Sequence, residues 1–180
     1  MKKIAPFAEY PEMVVTMLAP VIDAYEAHSD VPWPGLFQQI LKSYPDSRFV
    51  LIKRDPVEWW NSLARHWKLN IVKRYLTTYE YIQYRNYISL PRRHLVSLAD
   101  GPLFQSALLR HTELATKAIP PGRLLIVDLG DPAISEKLCR FLGLETHIPF
   151  PSTTNKSSLK PRRKFVYRLV RRAAHFFGLR

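Results

Sequence analysis

An arginine and a serine eight residues apart carry the clearest chemical signal in this chain. Arg54 comes two positions after the apolar run FVLI, and Ser62 lies two turns into the helix predicted next. A guanidinium offers forked donors to a phosphate, and a hydroxyl adds a third donor. The pair therefore fits a clamp for a phosphomonoester. A simple ion pair between Arg54 and Asp55 at a helix start is the structural alternative.

The residues around this arginine predict a buried strand that leads directly into a helix. RFVLI (48–52) is short and continuously apolar, as in a central parallel strand buried on both faces. Asp55 stands at the N-cap position, Pro56 at the first helical position, and Glu58 makes the start resemble a capping box. The helix is predicted to run to about Ile71. Ligands of parallel sheets bind beyond the carboxyl ends of the strands, where helix N-termini point free N–H groups outward.

A second predicted strand, followed by a predicted helix, indicates the fold class. PPGRLLIVDL (120–129) predicts a turn and a buried strand, and AISEKLCRFLGL (133–144) predicts a helix that stops at Gly143. Strands alternating with long helical crossovers indicate an α/β fold, a parallel sheet flanked by helices. Residues 72–118 predict further helices, rich in tyrosine. Near the N-terminus, residues 12–27 show a helical pattern that Pro20 interrupts.

Composition narrows the class of protein. The chain of 180 residues is long enough for one domain, and it has no apolar run of membrane-spanning length. Cys139 is the only cysteine, so no internal disulfide forms, and the reducing cytoplasm is the expected compartment. The lysine pair at the N-terminus is not followed by the apolar segment of a secretory signal. No cluster of Cys and His predicts a metal site.

The net charge of +12 is concentrated at the C-terminus. Residues 156–180 hold nine basic side chains and no acid, which points to an anionic partner for this tail. From Pro161 the pattern is that of an amphipathic helix, which either packs on the domain or lies on an anionic membrane surface. Nucleic acid is not an expected partner, because the net charge is concentrated in the tail and no nucleic-acid-binding motif is present.

The order of these segments resembles one enzyme family. HSDVPWPGLFQQILKSYPDSRFVLIKRDPVEWWNS (28–62) strongly resembles the nucleotide-binding core of sulfotransferases that use 3′-phosphoadenosine 5′-phosphosulfate (PAPS). HTELATKAIPPGRLLIVDL, EKLCRFLGL and IPFPSTTN resemble the C-terminal half of the same family, in the same order. The resemblance covers roughly residues 23–155. It implies a fold like that of the P-loop NTPases, over a domain of residues 1–155 that the tail of residues 156–180 follows.

The resemblance also implies a reaction and assigns roles. Arg54 and Ser62 would bind the 3′-phosphate of PAPS, the co-substrate, and no metal is required. A sulfuryl group would pass to a hydroxyl or amine of a small-molecule or glycan acceptor, leaving 3′-phosphoadenosine 5′-phosphate (PAP). The acceptor would bind along residues 72–118, an insert where the family varies.

Two further groups of residues receive roles from the family. The base that takes the acceptor proton lies just before the PWP turn, which makes Asp30 the first candidate and His28 the second. Asp30 is otherwise an N-cap or turn residue. A basic segment after the IPFPSTTN loop closes over the 3′-phosphate in the family, a role open to Lys160, Arg162 and Arg163. The alternative for these three is a solvated tail.

The N-terminus departs from the family pattern. Sulfotransferases of this type open with a strand and a glycine-rich loop that holds the 5′-phosphosulfate, yet the first glycine here is Gly35. The domain is therefore expected to be incomplete at its N-terminus. A shortened relative, a loop supplied by a partner chain and a truncated sequence are equally open. The competing hypothesis is an inactive relative that binds nucleotide or polyanion. An uncovered sheet edge would favour dimerisation.

Overall fold

The computed structural model describes residues 4–144. The chain divides into two units, residues 1–146 and 147–180, and every described residue lies in the first. The helices are α1 (Pro11–Ile22), α2 (Trp33–Ser43), α3 (Pro56–Trp67), α4 (Thr78–Tyr84), α5 (Gly101–Ala118) and α6 (Ile134–Leu142). The strands are β1 (Phe49–Lys53), β2 (Arg74–Tyr75), β3 (Leu95–Val96) and β4 (Leu124–Asp128). Three short 3-10 helices cover Ala5–Phe7, Leu98–Asp100 and Pro121–Arg123.

The central sheet of the described region consists of β1 and β4 in parallel. Their register runs from Phe49 opposite Leu124 to Lys53 opposite Asp128. This pairing, with helices around it, confirms the predicted α/β class with a parallel sheet flanked by helices. The described residues before β1 form helices and no strand. A separate antiparallel pair, β2 with β3, lies within the segment where the sequence predicted helices alone.

The helices cover one face of β1. Leu51 is buried together with Phe37 of α2 and with Ala115 and Ile119 at the end of α5. On the opposite face, Val50 and Ile52 remain 42% and 43% exposed. The expectation that this strand is buried on both faces is therefore wrong for the part of the chain that the structure describes. The apolar run alone predicted a strand but not how many of its faces would be covered.

An aromatic cluster fixes α3 against α5 and α4. The Trp60 ring stacks on Phe104 with the centroids 5.2 Å apart, and Trp67 meets Phe104 edge-on at 5.6 Å. Tyr84 of α4 packs edge-on against the same phenylalanine at 5.0 Å. Aromatic pairs in such geometries add about 0.5–1.5 kcal/mol each beyond the area that they bury. Both ends of α3 are consequently held on the core.

Two helix boundaries differ from the sequence predictions. The helix after Asp55 ends at Trp67 because Lys68 adopts a left-handed conformation (φ 58°). The backbone N–H of Leu69 then donates to the Ala64 carbonyl, and the Leu69 side chain turns into the core. At the N-terminus, α1 continues through Pro20 and ends two residues later. A proline in a last turn removes one hydrogen bond without stopping the helix earlier.

Replacing Gly35 by alanine is expected to destabilise the fold. A Cβ at this position would lie 2.4 Å from the Gln83 Cα and 2.5 Å from the Ile82 carbonyl oxygen, so α2 would have to move away from α4. We expect a loss of about 3 kcal/mol in the free energy of unfolding, at the upper end for overpacking. Chemical denaturation measures it. Gly122→Ala is the matched control, because nothing lies within 4 Å of its added Cβ; equal losses in both variants would contradict the prediction.

Candidate functional site

The candidate phosphate clamp lies where β1 ends and α3 begins. The Asp55 carboxylate caps α3 and accepts hydrogen bonds from the backbone N–H groups of Val57 (2.9 Å) and Glu58 (2.8 Å). Pro56 holds the first helical position, as the sequence predicts. Across the sheet, Lys53 is opposite Asp128, so β4 ends at the same edge as β1.

The capping geometry corrects one expectation about how an anion would be held here. The first three residues of α3 have no free backbone donor to offer, because Pro56 has no N–H and Asp55 engages the N–H groups of Val57 and Glu58. A phosphate at this junction would therefore be bound by side chains rather than by the end of the helix.

Arg54 is available for such binding. Its side chain is exposed and forms no ion pair or hydrogen bond with any residue among 4–144. The alternative of an ion pair with Asp55 is not formed, because that carboxylate caps the helix. Two other acids of this edge are also engaged, Asp128 by the Gly130 N–H and Asp131 by the Ala133 N–H and the Lys137 ammonium. The guanidinium is thus left unneutralised by protein groups in the described region.

Ser62 is half-buried on α3, and its hydroxyl likewise has no hydrogen-bond partner within the described residues. It lies three positions after Trp59 and so shares that side of the helix. Trp59 is partly buried against the aromatic cluster, and its ring meets that of Tyr84 edge-on, with the ring centroids 6.5 Å apart. The helix that carries Ser62 is therefore fixed by its neighbouring aromatic side chains.

Asp30 and His28 differ in how free they are to act as a base. Asp30 is exposed with a left-handed backbone (φ 68°), and one carboxylate oxygen accepts from the Val31 N–H at 2.9 Å. The His28 Nε2 donates to the Ile22 carbonyl at 3.1 Å, and its ring packs on Trp33 with centroids 4.6 Å apart. His28 is therefore engaged in packing, whereas the second carboxylate oxygen of Asp30 has no hydrogen-bond partner within the described residues.

The Asp30 carboxylate interacts electrostatically with Tyr84, which packs on α3. Burial raises the pKa of the Tyr84 phenol well above its usual value, and the carboxylates of Glu80 and Asp30 add to that rise. The Tyr84 ring contacts Trp59 and Trp67 of α3. Asp30 consequently lies within electrostatic range of the aromatic cluster on which α3 packs.

A partly buried network that no local sequence pattern indicates holds the first turn of α2, which begins three residues after Asp30. The Tyr87 hydroxyl donates to the Pro34 carbonyl at 2.9 Å and accepts a hydrogen bond from the His111 Nδ1 at 2.8 Å. The Asn86 side-chain amide donates to the Gly35 carbonyl at 3.0 Å. The sequence around His111 does not indicate its hydrogen bond to Tyr87. The role of this histidine depends on the meeting of α5 with residues far away in sequence, which leaves no local pattern.

The remaining predicted residues lie beyond the described part. Lys160, Arg162 and Arg163, and with them the basic tail of residues 156–180, fall outside residues 4–144. Within that range no group of three or more His, Cys, Asp or Glu side chains is arranged to hold a metal ion. No helix of the same range is long and apolar enough to cross a membrane.

A comparison with protein families matches the family described as "Sulfotransferase domain" over residues 5–159. The match includes both strands of the parallel sheet and the Arg54–Ser62 junction. The chain therefore belongs to the sulfotransferase family, whose general activity is the transfer of a sulfuryl group, and its α/β architecture fits the P-loop-like fold of that family. A search of the curated proteins found no match.

The His111 network predicts a pH dependence of stability. Burial lowers the pKa of His111 below its usual value near 6.5. The unfolded chain therefore takes up a proton before the folded one does as the pH falls. This residue should contribute a loss of stability that begins below about pH 6.5 and continues down to its folded-state pKa.

Unfolding free energies of the native chain and His111→Gln, measured between about pH 7.5 and about pH 5, test this. The native chain should lose more stability on acidification than the variant does. His66→Gln, at an exposed histidine of α3, serves as the control and should follow the native curve. Parallel curves for the native chain and His111→Gln would contradict the prediction.

Proposed function

We propose that this protein binds PAPS and transfers its sulfuryl group to a hydroxyl or amine acceptor, releasing PAP. The observation that carries the proposal is the exposed Arg54, which has no protein partner in the described region and stands at the carboxyl end of a parallel strand. An uncompensated guanidinium at such a position suits a dianionic phosphate, which accepts its forked donors. Membership of the sulfotransferase family supports the same assignment.

In this proposal Arg54 and Ser62 hold the 3′-phosphate of the donor. The guanidinium supplies charge and two parallel N–H donors, and the Ser62 hydroxyl supplies a third. Because Asp55 already engages the first-turn N–H groups of α3, these side chains provide the contacts that the helix start does not. The role of α3 is then to hold Ser62 at a fixed distance from the end of β1.

Asp30 acts as the base in the same proposal. Its free carboxylate oxygen takes the proton from the acceptor hydroxyl while the acceptor oxygen attacks sulfur and the bond from sulfur to the leaving PAP oxygen breaks. The start of α2, just after Asp30, is kept in place by Tyr87, whose hydroxyl donates to the Pro34 carbonyl. His28 is the second candidate, although its Nε2 proton already binds the Ile22 carbonyl.

Thermal unfolding of the 180-residue chain with and without PAP tests the clamp. At about 100 times its dissociation constant, a ligand that binds only the folded state adds about 2.7 kcal/mol of stability. Arg54→Ala should lose most of this gain, and Ser62→Ala should lose up to about 1.5 kcal/mol, as expected for a single hydrogen bond.

Two controls make the test specific. Arg65→Ala removes another exposed arginine, further along α3, and should keep the full gain. Adenosine 5′-monophosphate lacks the 3′-phosphate, so it should stabilise the native chain and Arg54→Ala to the same small extent. If PAP stabilises Arg54→Ala as strongly as the native chain, the 3′-phosphate is bound elsewhere.

Turnover tests the role of Asp30. PAP release from PAPS, measured over a panel of hydroxyl and amine acceptors, should fall about 10²- to 10⁴-fold in Asp30→Asn, because the amide cannot take a proton. The gain in stability with PAP should be unchanged in this variant. Equal rates in Asp30→Asn and the native chain would exclude Asp30 as the base. Binding of PAP by the native chain without any turnover would favour an inactive nucleotide-binding relative.

A further inference from the structure

A cavity of about 630 Å³ lies beside β2 and the start of α4, away from the Arg54 junction. Arg74, the first residue of β2, stacks its guanidinium on the Trp67 ring at 4.8 Å, so β2 starts at the far end of α3. The 12 residues of α3 span about 18 Å. The cavity is therefore a separate feature that the proposed phosphate clamp does not use.

The charge of the cavity wall is positive. Arg92 and Arg93 both line it, and no acidic side chain does so among the described residues. Arg92 is anchored because its guanidinium donates to the Ala5 carbonyl. Arg93 is exposed and has no ion pair or hydrogen bond with any of residues 4–144. A free guanidinium beside an anchored one favours an anionic group at the cavity mouth.

The other residues that line the cavity suit a ligand that contains a ring. The Tyr75 side chain is 58% exposed and offers an open aromatic face, while Leu76 and Tyr81 add apolar surface. The Thr78 hydroxyl also lines the cavity and has no partner within the described region. Together these residues provide a platform for a flat or pyranose ring and a hydroxyl that binds its polar edge.

The platform is held in place before any ligand arrives. The Arg74 guanidinium forms two hydrogen bonds to the Glu80 carboxylate, at 3.0 and 2.6 Å, and its Nε donates to the Tyr75 carbonyl at 3.2 Å. The same carboxylate accepts from the Thr77 N–H at 2.7 Å. This network ties the end of β2 to the start of α4, so a ligand need not order these residues on binding.

We propose that this cavity binds a small anionic ring compound, namely a carboxylate carried on an aromatic or pyranose ring. The Arg93 guanidinium receives the carboxylate, and the ring lies against Tyr75. The cavity shares no residue with the Arg54 junction, so its occupancy can be measured without the donor nucleotide. It lies within residues 72–118, the segment that the family resemblance gives to the acceptor, but the function proposed above assigns no ring, no carboxylate and no residue of this cavity, so the inference goes beyond it.

Isothermal titration of the full 180-residue chain tests the proposal with two probes. Hydroxybenzoate represents an aromatic acid and glucuronate an anionic sugar, and at least one of them should bind saturably. Which of the two binds identifies the source of the ring. Phenol and glucose, which lack the carboxylate, should bind at least tenfold more weakly than the matching acid, a difference of about 1.4 kcal/mol.

Variants assign the binding to this cavity. Arg93→Ala and Tyr75→Ala should each weaken binding of the acid about tenfold or more, whereas Arg65→Ala, at an exposed arginine of α3, should leave it unchanged. Arg93→Ala should also keep its stabilisation by PAP, which separates this proposal from the one for Arg54. The proposal is overturned if neither acid binds, if the neutral analogues bind as well as the acids, or if Arg93→Ala and Arg65→Ala weaken binding equally.

Discussion

The parallel pairing of β1 with β4 is the constraint on which the candidate site depends. Five residue pairs in register bring the two carboxyl ends to one edge, with Lys53 opposite Asp128. Parallel strands can be joined only by a long crossover, and here α3, α4, α5 and the β2–β3 pair all fall within it. Because of this pairing, β1 ends at an edge of the sheet. The chain that follows β1 then forms helices, and the end of α5 packs on one face of the strand.

Capping and packing fix both ends of α3, the helix that follows this edge of the sheet. Asp55 fixes where the helix starts, and the rings of Trp60, Trp67 and Phe104 fix how it lies on α5. The side chains that carry the proposed chemistry are outside this packed set. Arg54 and Ser62 form no hydrogen bond or ion pair within the described region, so an incoming phosphate need not displace one. A rigid frame with unpaired donors is the arrangement expected of a preformed anion site.

The proposed clamp differs from a loop that binds phosphate through backbone N–H groups, because its donors are side chains. Asp55 engages the N–H groups of Val57 and Glu58, so in the proposed clamp the side chains recognise the phosphate. A guanidinium recognises a phosphate by charge and by its planar fork. The Tyr87–His111 hydrogen bonds likewise position the start of α2 after Asp30, since they hold the Pro34 carbonyl. The cavity at the other end of α3 repeats the pattern, with Arg74 and Glu80 fixing the frame and Arg93 left free.

The sequence by itself determined the features that depend on local physics. Continuous apolarity specified β1 and β4, the Asp55–Pro56 pair specified the start of α3, and Gly143, with its left-handed backbone, specified the end of α6. The spacing of Arg54 and Ser62 could also be read directly. Tertiary structure decided the rest. Lys68 ends α3 although a lysine carries no signal for a left-handed conformation, and the burial of Leu69 is what makes that turn favourable. The exposure of Val50 and Ile52, the Tyr87–His111 hydrogen bond and the freedom of Arg54 and Arg93 all depend on which distant residues approach. No local pattern records that information, because these contacts join segments that are neighbours only after folding.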